Sequence, residues 1–180
     1  ALQSAQTALN FVPPTQVNDP ALSFFRGRLA WQLIQTGDRQ YTIDDVRRFW
    51  ETAVKAAPNS LLYNNALGFA YYAEGNLNRA NDSWFQALNL ALNQSTPISN
   101  VSISAQTSLL PQDALTSYAG LAIGLYKSAH SQPPAKKVQY MNEAIKLRNL
   151  VIKQDPVNFQ LNKLSNNWLW TEKAIADWRS

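Results

Sequence analysis

The strongest constraint on the fold is the stretch LGFAYYAEGNLNRANDSWFQAL at residues 67–88, which sets bulky side chains among very small ones. Apolar residues recur in both of its halves at three- and four-residue spacing, which is typical of helices, and a Gly-Asn pair separates the halves. Two antiparallel helices approach closely only where side chains are small, and Gly68, Ala80 and Ala87 supply such a seam. The stretch therefore predicts a tight helical hairpin, with Trp84 filling the space beside the seam.

The same spacing recurs along the chain and predicts an all-α fold. Proline and glycine pairs punctuate it, and no segment has a convincing strand pattern. Thr42 followed three residues later by Asp45 predicts a capping box at a helix start. The predicted helices span residues 1–11, 20–36, 43–57, 60–74, 77–92, 112–130, 135–154 and 158–178.

Composition excludes several classes of protein. A hydrophobic content of 46% with six tryptophans is not that of a disordered chain. A net charge of +4 with only 16% charged residues is too dilute for a strong nucleic-acid footprint. Without cysteine the chain has no disulfide and no thiolate metal site. No apolar run is long enough to cross a bilayer. We favour a cytoplasmic location, with an extracytoplasmic part of a membrane-anchored parent as the alternative.

No motif for catalysis or cofactor binding is found in the sequence. It has no P-loop, dinucleotide fingerprint, nucleophile elbow or metal-ligand cluster. The single histidine, His130, is predicted at a helix end, where it would act as a cap. We therefore expect no catalytic residue, no cofactor and no metal in this chain. Because Ala1 already stands in a helix-like pattern, we expect a fragment of a larger protein, and that parent could itself be an enzyme.

The hairpin at 61–92 resembles a tetratricopeptide repeat. The residues that carry the resemblance are Leu67, Gly68, Tyr71, Ala80, Trp84 and Ala87. Asn64 replaces the family's early tryptophan, and Leu92 replaces its closing proline. The second-helix half of the pattern recurs at Val46, Trp50, Ala53 and Pro58, and more loosely at Ala1, Ala5, Ala8 and Pro13 and at Ala144, Arg148, Val151 and Pro156.

The resemblance implies a single α-solenoid of antiparallel hairpins with irregular repeat lengths. The spacing from Gly27 to Val46 is about seven residues longer than in the clean repeat, and the third hairpin offers Gly120 or Gly124 as its glycine. The implied units are a half repeat at 1–13, a hairpin at 20–58, the clean repeat at 60–92, a Ser/Thr-rich linker at 93–111, a hairpin at 112–156 and a terminal helix at 157–180.

The resemblance also implies a concave groove, lined by the first helix of each hairpin, that binds a peptide or protein partner. The residues predicted to line it are Phe24, Arg28, Trp31, Leu62, Asn65, Phe69 and Tyr72. The Asn65 amide could hold a peptide backbone while the aromatic rings hold its side chains. The alternative is that these residues pack on the next hairpin.

We expect the chain to be a non-catalytic protein-interaction scaffold. The alternative is a regulatory or sensory module of a signalling enzyme, because the run NNWLWTEKAIADW resembles tetratricopeptide extensions of cyanobacterial serine/threonine protein kinases. The tryptophans of that run predict a terminal helix that packs on the other helices rather than on a membrane. RNA binding is the weakest hypothesis, because the cations between Lys136 and Lys153 are more typical of a solvated helix face.

Overall fold

The computed structural model describes residues 19–94 and 110–180, together with Ser4 and Thr7. Within these residues the fold is all-α, as the sequence predicts, and contains no strand. The helices are α1 (Pro20–Gln35), α2 (Ile43–Ala56), α3 (Leu61–Glu74), α4 (Leu77–Gln94), α5 (Gln112–Ala129), α6 (Pro134–Gln154), α7 (Leu161–Leu164) and α8 (Glu172–Arg179).

The predicted bounds of α1 to α6 agree with the structure to within two residues at each end. The capping box is confirmed: Asp45 N–H donates to Thr42 Oγ1 at 3.3 Å, and Thr42 N–H donates to Asp45 Oδ2 at 2.9 Å. α4 continues through Gln94, so the predicted linker at 93–111 begins two residues too early. Most of that linker and of the predicted helix 1–11 lies outside the described residues, although Ser4 and Thr7 are helical.

The predicted helix at 158–178 is wrong, because the structure divides this stretch into α7, a turn region and α8. Asn167 Oδ1 accepts a hydrogen bond from the N–H of Leu169 at 3.1 Å, and this local bond replaces a helical one. Thr171 Oγ1 accepts from Ala174 N–H at 3.2 Å and caps the start of α8. Apolar spacing continues across the break, so periodicity alone could not locate it.

Helices α1 to α6 pack in chain order, each against the next one. The pairs α1–α2, α3–α4 and α5–α6 form three hairpins, and α5 also contacts α8. The hydrophobic core runs through all of them. Its largest fully buried side chains are Trp31, Trp50, Trp84 and Trp178.

A glycine on the first helix faces a tryptophan on the second in two of these hairpins. A Cβ atom at Gly68 would lie 2.4 Å from Trp84 Nε1, and one at Gly27 would lie 2.3 Å from Trp50 Nε1. These distances are far below van der Waals contact, so only glycine leaves room for the indole. The tryptophan of the predicted seam thus lies directly on the glycine rather than beside it.

The two candidate glycines of the third hairpin do not face the second helix of their own hairpin, unlike Gly27 and Gly68. A Cβ atom at Gly120 would lie 2.4 Å from Trp84 Cε2, and one at Gly124 would lie 2.0 Å from Asn81 Oδ1. Both glycines therefore face α4 of the preceding hairpin instead of forming a seam with α6. Trp84 is enclosed between Gly68 and Gly120, and its ring joins the second hairpin to the third.

We predict that Gly68→Ala destabilises the protein, by about 1–3 kcal/mol, because the added methyl group overpacks the enclosed Trp84 ring. Urea denaturation would measure the change in the free energy of unfolding. The sign of this change is decisive. In a helix where the added methyl group touched no neighbouring side chain, glycine to alanine would instead stabilise the protein by about 1 kcal/mol.

The control is the same substitution in a Trp84→Leu background, in which the smaller side chain leaves space for the methyl group. There, Gly68→Ala should be neutral or stabilising, so that the two substitutions are strongly non-additive. An equal loss of stability in both backgrounds would contradict the assignment of Trp84 as the neighbour that requires glycine.

Candidate functional site

The seven residues predicted to line a groove, called here the predicted groove residues, are mostly covered in the structure. Phe24 and Trp31 of α1, and Asn65, Phe69 and Tyr72 of α3, are buried. Arg28 is half-buried, and Leu62 is exposed. Two other parts of the chain cover them: the C-terminal segment and helix α5.

The first cover is the C-terminal segment, defined as residues 167–178, which begins in the turn region before α8. The carbonyl oxygen of Trp168 accepts a hydrogen bond from Trp31 Nε1 at 2.9 Å and another from Gln35 Nε2 at 3.3 Å. The Trp168 ring meets Phe24 edge to face at 6.2 Å between centroids, and the Arg28 guanidinium lies 4.6 Å from its centroid. A non-helical stretch is thus held through its main chain and through its ring.

The same segment continues across α3. Trp170 packs edge to face on Phe69, with 5.3 Å between ring centroids. The Tyr72 hydroxyl donates to Asp177 Oδ2, and Lys173 Nζ lies 5.7 Å from the Tyr72 ring centroid. Side chains of α1 and α3 therefore contact four residues of the segment: Trp168, Trp170, Lys173 and Asp177.

Asn65 does not face this surface. Its Nδ2 donates to the carbonyl of Asp113 at 2.9 Å, and its Oδ1 accepts from Ser117 Oγ at 2.8 Å. Both partners are on α5, so the amide joins α3 to the next hairpin, as the packing alternative for the predicted groove residues expects. Leu62 is 40% exposed. The structure therefore brings five of the seven residues together beneath that segment.

The electrostatics of the surface centre on Asp177. Lys127 of α5 lies 3.4 Å from Asp177 Oδ1, so this carboxylate bridges α3, α5 and α8. Burial of the Tyr72 hydroxyl, together with its hydrogen bond to the carboxylate, raises the pKa of Tyr72 far above its ordinary value of 10.0. Folding therefore favours the neutral form of the Tyr72 side chain.

Sequence reasoning did not identify Gln35 and Asp177 as contacts of this surface. Gln35 stands seven residues after Arg28 and four after Trp31, so helical spacing alone could have placed it on their face. No comparable signal exists for Asp177, because its partners Tyr72 and Lys127 are 105 and 50 residues away in the chain. Such a contact depends on the tertiary fold.

His130 follows the last residue of α5, in agreement with its predicted position at a helix end. Its Nδ1 lies 2.9 Å from the carbonyl oxygen of Tyr126. Among the described residues there is no group of three His, Cys, Asp or Glu side chains that could hold a metal ion. In the same part of the chain, no helix has the length and hydropathy needed to cross a membrane.

Comparison of the chain with protein-family models and with curated proteins found no significant match.

The Tyr72–Asp177 contact predicts a loss of stability in alkali. A raised tyrosine pKa contributes stability that is complete below pH 10.0 and is lost as the pH rises towards the folded-state value. The free energy of unfolding of the wild type should therefore fall between about pH 9 and pH 11 more steeply than that of Tyr72→Phe. Urea titrations across this range would measure both slopes.

Tyr140→Phe is the control, because Tyr140 lies on α6 and its side chain has no hydrogen-bond partner among the described residues. It should keep the wild-type slope. If Tyr72→Phe and the wild type lose stability in parallel, ionisation of Tyr72 is not coupled to folding.

Proposed function

We propose that this chain is a non-catalytic protein-interaction module that binds an extended peptide segment on the surface formed by α1 and α3. The observation that carries the proposal is the docking of the chain's own non-helical residues around Trp168 on that surface. A surface that holds one such segment has the chemistry to hold another. The predicted partner class, a protein or peptide, follows from this chemistry.

Two kinds of contact would share the recognition. The N–H groups of Trp31 and Gln35 donate to a main-chain carbonyl, which every peptide offers, so they position a ligand without reading its sequence. Phe24 and Arg28 surround an indole, by an edge-to-face contact and a cation–π contact. The preferred ligand is therefore an extended segment with tryptophan or another large aromatic residue.

We also propose that the hairpins form a tetratricopeptide-like solenoid. Packing of α1 to α6 in chain order supports it, as does the contact between glycine and tryptophan in the first two hairpins. In this arrangement α1 and α3 are the first helices of neighbouring hairpins, which is where the family binds peptides. The displaced glycines of the third hairpin are a departure from the regular repeat.

The C-terminal segment would compete with any partner for this surface. A partner must then displace Trp168, and its apparent affinity is reduced by the fraction of molecules in which the surface is covered. Trp168 is only partly buried and lies outside the helices, so its displacement leaves α1 and α3 intact.

The test is selection of a displayed library of extended peptides on the wild type and on Trp168→Ala, which removes the ring that covers Phe24 and Arg28. We expect Trp168→Ala to enrich aromatic peptides more strongly than the wild type. Adding Arg28→Ala to that variant should weaken their binding about three- to ten-fold, the worth of one cation–π contact. Fluorescence anisotropy of a selected peptide would measure the affinities.

Arg39→Ala, added to Trp168→Ala, is the matched control, because Arg39 is exposed in the turn after α1. It removes the same charge and should leave the affinity unchanged. Equal effects of the two arginine substitutions would show that binding depends on net charge and not on the contact made by Arg28. Absence of enrichment on Trp168→Ala would refute the proposed function.

A further inference from the structure

Helix α6 carries a surface that the proposed function does not use. It has four lysines and one arginine against one glutamate, a net charge of +4. This equals the formal charge of the whole 180-residue chain, so the rest of the protein is neutral overall. Among the described residues, Lys146 is the only cation of α6 within 4 Å of a carboxylate, that of Glu143 at 3.4 Å.

The same helix exposes a line of apolar side chains, called here the α6 stripe: Val138, Ile145 and Ile152. Their exposed fractions are 59%, 56% and 36%. They stand seven residues apart, so they lie above one another on successive pairs of helical turns, over about 21 Å. Scattered exposed apolar residues are common, but an aligned set on one helix is the pattern that packs against another helix.

A concave cleft lies beside the stripe. It has a volume of about 340 Å³ and lies between α5, α6 and α8. Its apolar lining includes Ile123 and Tyr126 of α5, Met141 and Ile145 of α6, and Trp178 of α8. Because Ile145 belongs to both features, an apolar side chain inserted into the cleft would also contact the stripe.

Arg148 forms part of the wall of this cleft and is held in place. Its Nε donates to the carbonyl of Trp178 at 2.9 Å, and its guanidinium lies 5.6 Å from the Trp178 ring centroid. The cleft wall also holds the Asp177 carboxylate, which is already paired with Lys127 and Tyr72. The charge left to face a partner around the apolar centre is therefore that of Arg148 and of the exposed lysines beside the stripe. A partner with acidic residues around an apolar face is complementary to this arrangement.

A membrane surface matches the geometry less well than a protein helix does. A helix that lies in a bilayer interface exposes a broad apolar face, whereas α6 buries Ala144 and Val151 in the protein and leaves a narrow stripe. A concave cleft takes a discrete side chain, and a partner helix with apolar residues at i, i+3 or i+4, and i+7 presents such side chains in a row.

We propose that the α6 stripe and the adjoining cleft bind an acidic amphipathic helix of a partner protein. A helix of about 14 residues spans the stripe, with apolar side chains on Val138, Ile145 and Ile152 and one in the cleft. Its carboxylates face the lysines that flank the stripe, Lys137, Lys146 and Lys153. The cleft is lined by Asp177 and Trp178 of the C-terminal segment but by none of the predicted groove residues, so this docking site and the peptide-binding surface on α1 and α3 use different residues.

The test is selection on the full chain of a displayed library of helical peptides with fixed acidic positions and randomised apolar positions. Affinities of the selected helices would be measured by fluorescence anisotropy. We expect Ile145→Ser to weaken binding ten-fold or more, because it removes the residue shared by the stripe and the cleft. Its matched control is Leu150→Ser, since Leu150 is exposed on α6 about 140° around the helix from Ile145.

The electrostatic part is tested by Lys153→Glu, with Lys136→Glu as the matched control. Lys153 lies about 80° from Ile145 around the helix, and Lys136 about 180°. Lys153→Glu should weaken binding three- to ten-fold at low salt, with a smaller effect at high salt, while Lys136→Glu should have little effect. Melting curves would confirm that all four variants remain folded.

Several outcomes would overturn this proposal. These are no enriched helix, equal losses for a test variant and its control, or binding only to phosphatidylserine vesicles, which would make the stripe a membrane contact. Loss of helix binding in Arg28→Ala would instead place the helix on the α1–α3 surface. Because Arg28→Ala should leave helix binding unchanged, failure here is distinguishable from failure of the proposed peptide-binding function.

Discussion

The packing of Trp84 against two glycines is the constraint on which the rest of the structure depends. A fully buried indole lies between Gly68 of its own hairpin and Gly120 of the next one. The ring is large enough to fill the space between three helices, and only glycine lets their backbones come so close. Asn65 strengthens the same junction through its hydrogen bonds to α5. The relative position of the second and third hairpins therefore depends on shape complementarity around one side chain.

That arrangement leaves the aromatic face of α1 and α3 free to receive another part of the chain. The C-terminal segment covers it, through the Trp168 carbonyl at one end and Asp177 at the other. Burying large aromatic rings is favourable, and the N–H groups of Trp31 and Gln35 and the hydroxyl of Tyr72 are hydrogen-bonded to the segment, which stabilises the covered form. Under the proposed function, the same set of contacts serves either the chain itself or a competing partner.

Secondary structure could be predicted from the sequence where local chemistry decides it. Helical periodicity predicted α1 to α6, and Thr42 with Asp45 predicted a capping box that the structure contains. The prediction of one helix at 158–178 was wrong because the Asn167 and Thr171 side chains compete for backbone N–H groups while the apolar spacing continues past them. For the candidate site, spacing identified the shared face of Phe24, Arg28 and Trp31, and it could also have included Gln35.

The sequence by itself determined the first six helices, the small residues at the hairpin seam and the concentration of positive charge on α6. It did so because periodicity, side-chain size and charge are properties of neighbouring residues. Only the tertiary structure decided that Gly120 and Gly124 face α4, that Asn65 holds α5 and that the C-terminal segment lies on α1 and α3. These contacts join residues tens to more than a hundred positions apart. Their formation depends on how whole helices pack against one another, and no local sequence pattern predicts that packing.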